Sequence, residues 1–284
     1  MKKTLFAAGA IAWALVLATS CSHKGAESGQ ADPTISNFAV NQVIKSGDQS
    51  YMITLDGDTA YLDQSVSIQW PEKIGNADLK PLKDSLVYYC FNDTVYTTID
   101  AAMIGFLKDT SAVDSLAPDE KIIPLDSAMK VNDDMRQWFL GVTANVIELD
   151  EDMVTYQVAN SSYLGGAHPF TATRPFTYDL RHGVVLTPAN MFVAGSDSAV
   201  MDVIKSSLAR QFNVSVNNLD KAGIFADQLT YPGKPYIANN SVVFHYNPYD
   251  IAPYASGAID VIVYPYEIDS ILTPEVKDLL EDQI

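Results

Sequence analysis

Cysteine is almost missing from this sequence, with only Cys21 and Cys90 among 284 residues. Cys21 closes an apolar leader and so is not a free partner for Cys90, which leaves the fold to be held by its core rather than by disulfides. Long apolar runs are missing too. The longest, from Leu5 to Leu17, is too short to span a bilayer comfortably. Basic residues are scarce: 18 Lys and Arg stand against 35 Asp and Glu, a formal charge of −17. Such a surface argues against nucleic acid as a partner, because binding a polyanion needs cations to neutralise phosphates. It permits a basic protein partner, although acidity also serves solubility alone.

Catalytic signatures are absent as well. There is no GxSxG elbow, no HExxH, no phosphate-binding P-loop and no GxGxxG. Of the four histidines, His23 lies in a polar spacer, His182 in a turn and His245 in a strand, which leaves His168 as the one in a specified loop. A lone histidine has no partner to activate it, and a metal site would need more ligands than the sequence supplies. Asp56-Gly57-Asp58 with Asp63 lacks the remaining ligands of a calcium loop, so a hairpin turn is the simpler reading. No cofactor and no catalytic residue are expected. The alternative is a hydrolase with an unrecognised active site around His168.

What is present begins at the N-terminus. Lys2 and Lys3, an apolar run and then small residues leading to cysteine read as a lipoprotein signal peptide over residues 1–20. Leu17-Ala18-Thr19-Ser20-Cys21 resembles a bacterial lipobox, which makes Cys21 the lipidated first residue of an exported, membrane-anchored envelope protein, periplasmic or on the cell surface. Loss of Lys2 and Lys3 with the leader removes two positive charges and takes −17 to −19. Residues 21–35, rich in Ser, Gly and Ala, have the composition of a flexible tether.

Hydrophobic residues make up 48% and aromatic residues 10%, enough for one large or two small packed domains. Period-two patterns predict strands over Phe38 to Ile44, Tyr51 to Leu55 and Tyr61 to Trp70, the last stopped by Pro71. Between Asp78 and Lys108 the pattern turns helical, with Leu79, Leu82, Leu86, Tyr89 and Cys90 on one face and Ile99, Met103, Phe106 and Leu107 on another. Cys90 is expected as a small buried hydrophobe, not a nucleophile. Asp109 to Pro124 reads as a long surface loop. Strands over Trp138 to Leu149, Met153 to Val158 and Thr171 to Leu180 then form an antiparallel meander.

Asp197 to Phe212 is the clearest helix, with Ser196 or Asp197 as N-cap. Tyr236 to Ala238 and Ser241 to Tyr246 make a hairpin through Asn239-Asn240. Ala258 to Tyr264, apolar on both faces, is expected at the centre of a sheet, and Thr273 to Leu280 forms a short helix. The fold class that follows is α+β: a mostly antiparallel sheet packed by a long helix, with a smaller N-terminal α+β lobe carrying the Asp78–Lys108 helices.

Two loops are specified rather than merely patterned. Gly165 and Gly166 allow backbone angles closed to other residues and Pro169 fixes φ, so the first loop can aim Tyr163 and His168. The second runs from Pro248 to Gly257 and holds Tyr249, Ile251 and Tyr254 about Pro248 and Pro253, limiting the entropy lost on contact with a partner. The GGAHP loop, the DLRHG hairpin with LTPANMF, and FHYNPYDIAPYASGAIDVIVYPY together resemble the paired domains of unknown function in lysozyme-sensing anti-sigma factors of the RsiV type and in PdaC-type peptidoglycan deacetylases. One departure is Phe170, where the family commonly carries a polar residue.

The resemblance implies an N-terminal domain over 36–180 and a C-terminal domain over 181–284. It also implies a non-catalytic sensing or binding module for a lysozyme-like muramidase, another cell-wall hydrolase or peptidoglycan. The deacetylases' metal-dependent domain has no counterpart in this sequence, and an export signal starting at Lys2 argues against sigma-factor control. The partner-binding residues expected are Tyr163, Gly165, Gly166, His168, Pro248, Tyr249, Pro253 and Tyr254, with both loops at one end of the sheet.

Overall fold

A computed structural model describes residues 38–55, 58–92, 95–114, 121–125 and 136–281. The signal peptide, Cys21, the tether and the Asp56-Gly57 tip lie outside the described residues. Strand β1 (Val40–Leu55) pairs antiparallel with β2 (Asp58–Ile74) along its whole length. The sequence pattern breaks β1 in two because Lys45, Gly47 and Gln49 occupy its inward positions, paired with Ile68, Val66 and Gln64. Those positions face helix α2 (Ile99–Lys108). Lys45 reaches Asp100 at 3.1 Å, and a Cβ on Gly47 would stand 3.0 Å from Leu107, so glycine lets the helix approach the sheet. Buried Gln64 donates to the Phe106 and Asp109 carbonyls at the helix end.

Pro71 does not stop β2. It sits opposite Gln42 beside a register shift, past the last β2 residue paired to the next strand, Ile68, so its missing N–H costs no ladder bond on that side. That next strand, β4 (Arg136–Leu149), runs parallel to β2, the one parallel pair in a sheet that is otherwise antiparallel, the expected meander from β4 onward included. Parallel neighbours need a long crossover, here α1 (Lys80–Phe91), α2, the short α3 (Ser111–Asp114) and β3 (Ile122–Pro124). The stretch expected as a surface loop thus contributes a helical turn and an edge strand paired with β1. After β4 come β5 (Met153–Tyr163), β6 (Phe170–Asp179) and β7 (Val184–Val185), giving the order β3-β1-β2-β4-β5-β6-β7.

α1 and α2 cover one face of this sheet. Leu82, Leu86 and Cys90 pack on Ile68, Val142, Tyr156 and Phe176, all at most 2% exposed. Burying a side chain of this kind stabilises by about 1.5–3 kcal/mol. Burial also pushes the Cys90 thiol up to about 12, which leaves it protonated and unreactive.

A second, three-stranded sheet is ordered β10-β9-β8, from β8 (Lys234–Ile237), β9 (Val242–Tyr246) and β10 (Ile259–Val263). Asn239 and Asn240 take φ of +50° and +52° between β8 and β9, and Ala238 and Ser241 exchange two 3.1 Å backbone bonds, the two-residue hairpin the Asn pair predicts. β10, expected to be central, is an edge strand with Asp260 and Ile262 outward; β9 holds the centre, buried at every position.

Helix α5 (Asp197–Gln211) buries Val200, Ile204 and Leu208 in the core of this sheet. Ser196 stands at its N-cap, but its hydroxyl bonds back to the Val193 carbonyl instead of capping. The short α4 (Pro188–Met191) and α6 (Pro265–Ile268), and α7 (Pro274–Glu281), complete that core, in which Phe192 stacks on Phe244 at 5.9 Å. The sheets join where Thr155 and Thr177 hydroxyls bond the carbonyl and N–H of Ile237, each at 2.8 Å.

Candidate functional site

The first specified loop connects β5 to β6. Gly165 and Gly166 hold φ of +91° and +101°, left-handed values that side chains with a Cβ resist, so the Gly pair is what lets the loop reverse here. Tyr163 braces it from the sheet: its hydroxyl donates to the Gly166 carbonyl at 3.1 Å and its ring lies 6.2 Å from Phe139. Beyond the glycines, His168 and Pro169 are exposed.

The second loop leaves β9 through a tight turn, Asn247-Pro248-Tyr249-Asp250. Asp250 N–H donates to the Asn247 carbonyl at 3.0 Å and Tyr249 has a φ of +73°. Proline followed by positive φ is a type II turn, in which the third residue is ordinarily glycine. A tyrosine there carries backbone strain on the order of 1–2 kcal/mol. Asn247 fixes the turn to the first sheet, its side chain accepting from Thr173 N–H at 2.6 Å and donating to the Thr173 carbonyl at 3.1 Å. It thereby completes the open edge of β6 as a strand would. Asp250 returns a bond to Asn247 N–H at 2.8 Å and sits 3.7 Å from Lys234, whose amine burial pushes down against the pull of that carboxylate. Ile251, expected beside the tyrosines as a surface anchor, is fully buried and belongs to the core. Pro253, exposed, leads into a single 3₁₀ turn, Tyr254–Ser256.

The two loops meet. The His168 and Tyr254 rings stack at 3.6 Å and 17°, and Tyr254 donates its hydroxyl to the Pro169 carbonyl at 2.6 Å. Tyr249 stands 5.7 Å from Tyr254 and 6.5 Å from His168, its hydroxyl 3.3 Å from His168 Nε2. His168 Nδ1 lies 3.0 Å from the Pro169 carbonyl, an acceptor only, so Nδ1 carries the hydrogen and Nε2 accepts from Tyr249. Tyr249 remains 53% exposed although its ring is held by two neighbours. The result is a preorganised aromatic patch of His168, Tyr249 and Tyr254, framed by Pro169, Pro248 and Pro253. Gly165, Gly166 and Tyr163 shape the first loop without joining the stack. Asn247, Thr173 and Asp250 hold the second loop, and no local pattern in the sequence names β6 as the partner of Asn247.

His168 contacts a carbonyl and a phenol, neither of which can serve as the acid that would drive it as a general base. Among the described residues no group of three His, Cys, Asp or Glu is placed to hold a metal. The remaining described histidines tie the fold: His182 Nδ1 meets Asp179 at 2.7 Å in the β6–β7 turn, and His245 joins Asp260 at 2.8 Å to Asn247 at 3.3 Å.

Residues 189–267 match the family described as a protein of unknown function, DUF3298. A DUF3298 family structure from Bacteroides fragilis superposes with a TM-score of 0.67 at 19% identity, covering 84% of this chain and 96% of that one. Another, from Pseudomonas aeruginosa, gives 0.54 at 16% identity, with 84% and 95% covered. These likenesses show the fold. The immunogenic protein MPT64 of Mycobacterium tuberculosis is 29% identical over 110 residues, 38% of this chain and 47% of its own length. MPB64 of Mycobacterium bovis matches to the same extent. The chain therefore spans about half the length of the curated relatives it matches.

Proposed function

We propose that the chain is a non-catalytic envelope lipoprotein whose two-loop patch binds a lysozyme-like muramidase or another basic cell-wall hydrolase. The observation that carries this reading is the convergence of His168, Tyr249 and Tyr254 from loops 81 residues apart. Their rings are accessible at the surface yet fixed by stacking and by three prolines, so little entropy is lost on contact, and aromatic anchors of this kind dominate interface energetics. A charge of −17 steers a basic partner toward the molecule. The contacts of His168 support binding over the alternative of a hydrolase centred on it. An anchor at Cys21 on the exported chain would hold the module where such enzymes act.

The test is capture of a basic muramidase by the purified full chain. Binding at micromolar concentration or tighter is expected, and Tyr254→Ala weakens it at least about tenfold, or 1.4 kcal/mol, with the thermal melt little changed. Absence of binding at that concentration sinks the reading. Separately, Cys21→Ser is expected to move the protein from the membrane to the soluble fraction, and unchanged partitioning would reject the lipid anchor.

A further inference from the structure

We propose that the cavity between the end of β2 and the starts of α1 and α2 is a ligand site for a small organic acid, an alkyl or aryl monocarboxylate held by its apolar body and its charge. It shares no residue with the loop patch and does not depend on that reading. The cavity has a volume of about 540 Å³, within the range of small-molecule sites. Its described lining comes from the last residues of β2, the connection over residues 77–79, the first two turns of α1 and residues 97–99, which begin α2.

The floor is apolar. Trp70, Leu79, Val87 and Ile99 belong to the core yet keep between 6% and 8% of their surface open, and all four line the cavity. A hydrocarbon body seated on them completes a burial that the fold leaves unfinished.

The rim selects the charge. Lys73, Lys80 and Lys83 converge on it, three of only 18 basic residues in a chain of formal charge −17. Three acids stand among them, and each is engaged: Asp84 pairs with Lys80, Asp78 accepts from the Lys80 backbone N–H at 3.0 Å, and Glu72 lies 3.8 Å from Lys83. Lys73 is exposed and its side chain has no partner among the described residues, so one ammonium is left over. The start of α2 adds to it. Thr98 accepts from the Ala101 N–H at 3.2 Å, while the Ile99 and Asp100 N–H groups are unbonded among the described residues. A cationic ligand is repelled by Lys73 and also loses its aromatic contact, since the Trp70 ring already carries the Lys83 ammonium, 5.6 Å from its centroid. A neutral ligand leaves Lys73 uncompensated. One spare positive charge beside an apolar floor fits a monocarboxylate.

The test is calorimetry on the purified full chain at neutral pH with three probes of one length: octanoate, 1-octanol and octylammonium. Octanoate is expected to bind with a dissociation constant of about 0.1 mM and to raise the melting temperature, and the other two to bind at least about tenfold more weakly. Lys73→Glu is expected to weaken octanoate at least about tenfold and to leave 1-octanol unchanged. Thr97→Trp, at an exposed position on the rim, is expected to fill the cavity and weaken both, while Tyr254→Ala binds octanoate as wild type does. No binding of octanoate by wild type, equal binding of the three probes, octanoate affinity retained in both cavity variants, or its loss in Tyr254→Ala would each overturn the proposal. Loss of muramidase capture with octanoate binding intact overturns only the loop-patch reading.

Discussion

The two faces of the seven-stranded sheet come from the same strands and differ residue by residue. Val142 is 2% exposed beneath the helices, and its neighbour Thr143 is exposed on the other side; Ile68 is fully buried and Ser67 is exposed. Alternation alone sorts them. On the covered side the inward groups are mostly apolar, with Lys45, Gly47, Gln49 and Gln64 where α2 presses close or ends and Arg174 where it donates to the Tyr89 carbonyl of α1. On the other side, which the second sheet covers at Thr155 and Thr177, the exposed groups are mostly small and hydroxylic, with Phe139 and Tyr163 at one end. The three-stranded sheet offers no such contrast, since β9 is buried on both faces. One sheet is therefore buried at its centre on both faces, whereas the other leaves part of one face exposed to solvent.

The largest break in this comparison is a charge moved one residue. Val142→Lys puts an ammonium among apolar side chains and is expected to cost at least about 4 kcal/mol, enough to abolish folding in a marginal domain, while Thr143→Lys changes stability by less than about 1 kcal/mol. Denaturant titration of the pair decides it, and equal costs would mean that Thr143 is covered. Thiol reactivity sharpens the same contrast. Burial pushes the Cys90 thiol up to about 12, so at pH 8 its thiolate is far scarcer than that of a thiol introduced by Ser67→Cys on the exposed side. Alkylation of that variant in its native state is expected to label the introduced thiol and spare Cys90, and a Cys90 labelled at a comparable rate would show that the α1 cover opens. Smaller still, Ile68→Val removes one buried methylene for about 0.5–1.5 kcal/mol, against less than about 0.5 for Ser67→Ala, measured as shifts in the unfolding midpoint.

Much of this was legible. The α5 periodicity, the Asn239-Asn240 hairpin and the α1–α2 pair need only local pattern, and each forms where the pattern puts it. The failures have physical causes. β1 was split because Gly47 and Lys45 sit inward for the sake of a helix more than fifty residues away. The parallel β2–β4 pair was hidden because its crossover spans two helices and an edge strand. β10 reads as central since Ile262 is apolar, yet that residue faces out. Ile251 looked like a tyrosine's companion, but only the tertiary fold decides that it turns into the core. The site was legible as two loops whose composition marks them out; their stacking, and the Asn247 clamp that sets it, depend on β6 and could not be read from local spacing.

The finest test concerns Tyr249, which occupies a glycine position by choice of side chain. In Tyr249→Ala the ring contacts with His168 and Tyr254 are lost, about 0.5–1.5 kcal/mol, and the strained φ of +73° is kept. In Tyr249→Gly the same contacts are lost but the strain of about 1–2 kcal/mol is released, offset by about 0.5–1 kcal/mol of added unfolded-state entropy. Glycine is therefore expected to be the more stable of the two by up to about 1 kcal/mol and close to wild type, the reverse of what replacement inside a helix or strand gives. Both variants should lose affinity for a muramidase alike, because both lack the ring. Chemical denaturation of the three proteins reads the first difference and a binding titration the second. If alanine proved as stable as glycine, no strain would be held in the turn; if Tyr249→Gly bound as wild type, the tyrosine would be a turn residue and not an anchor.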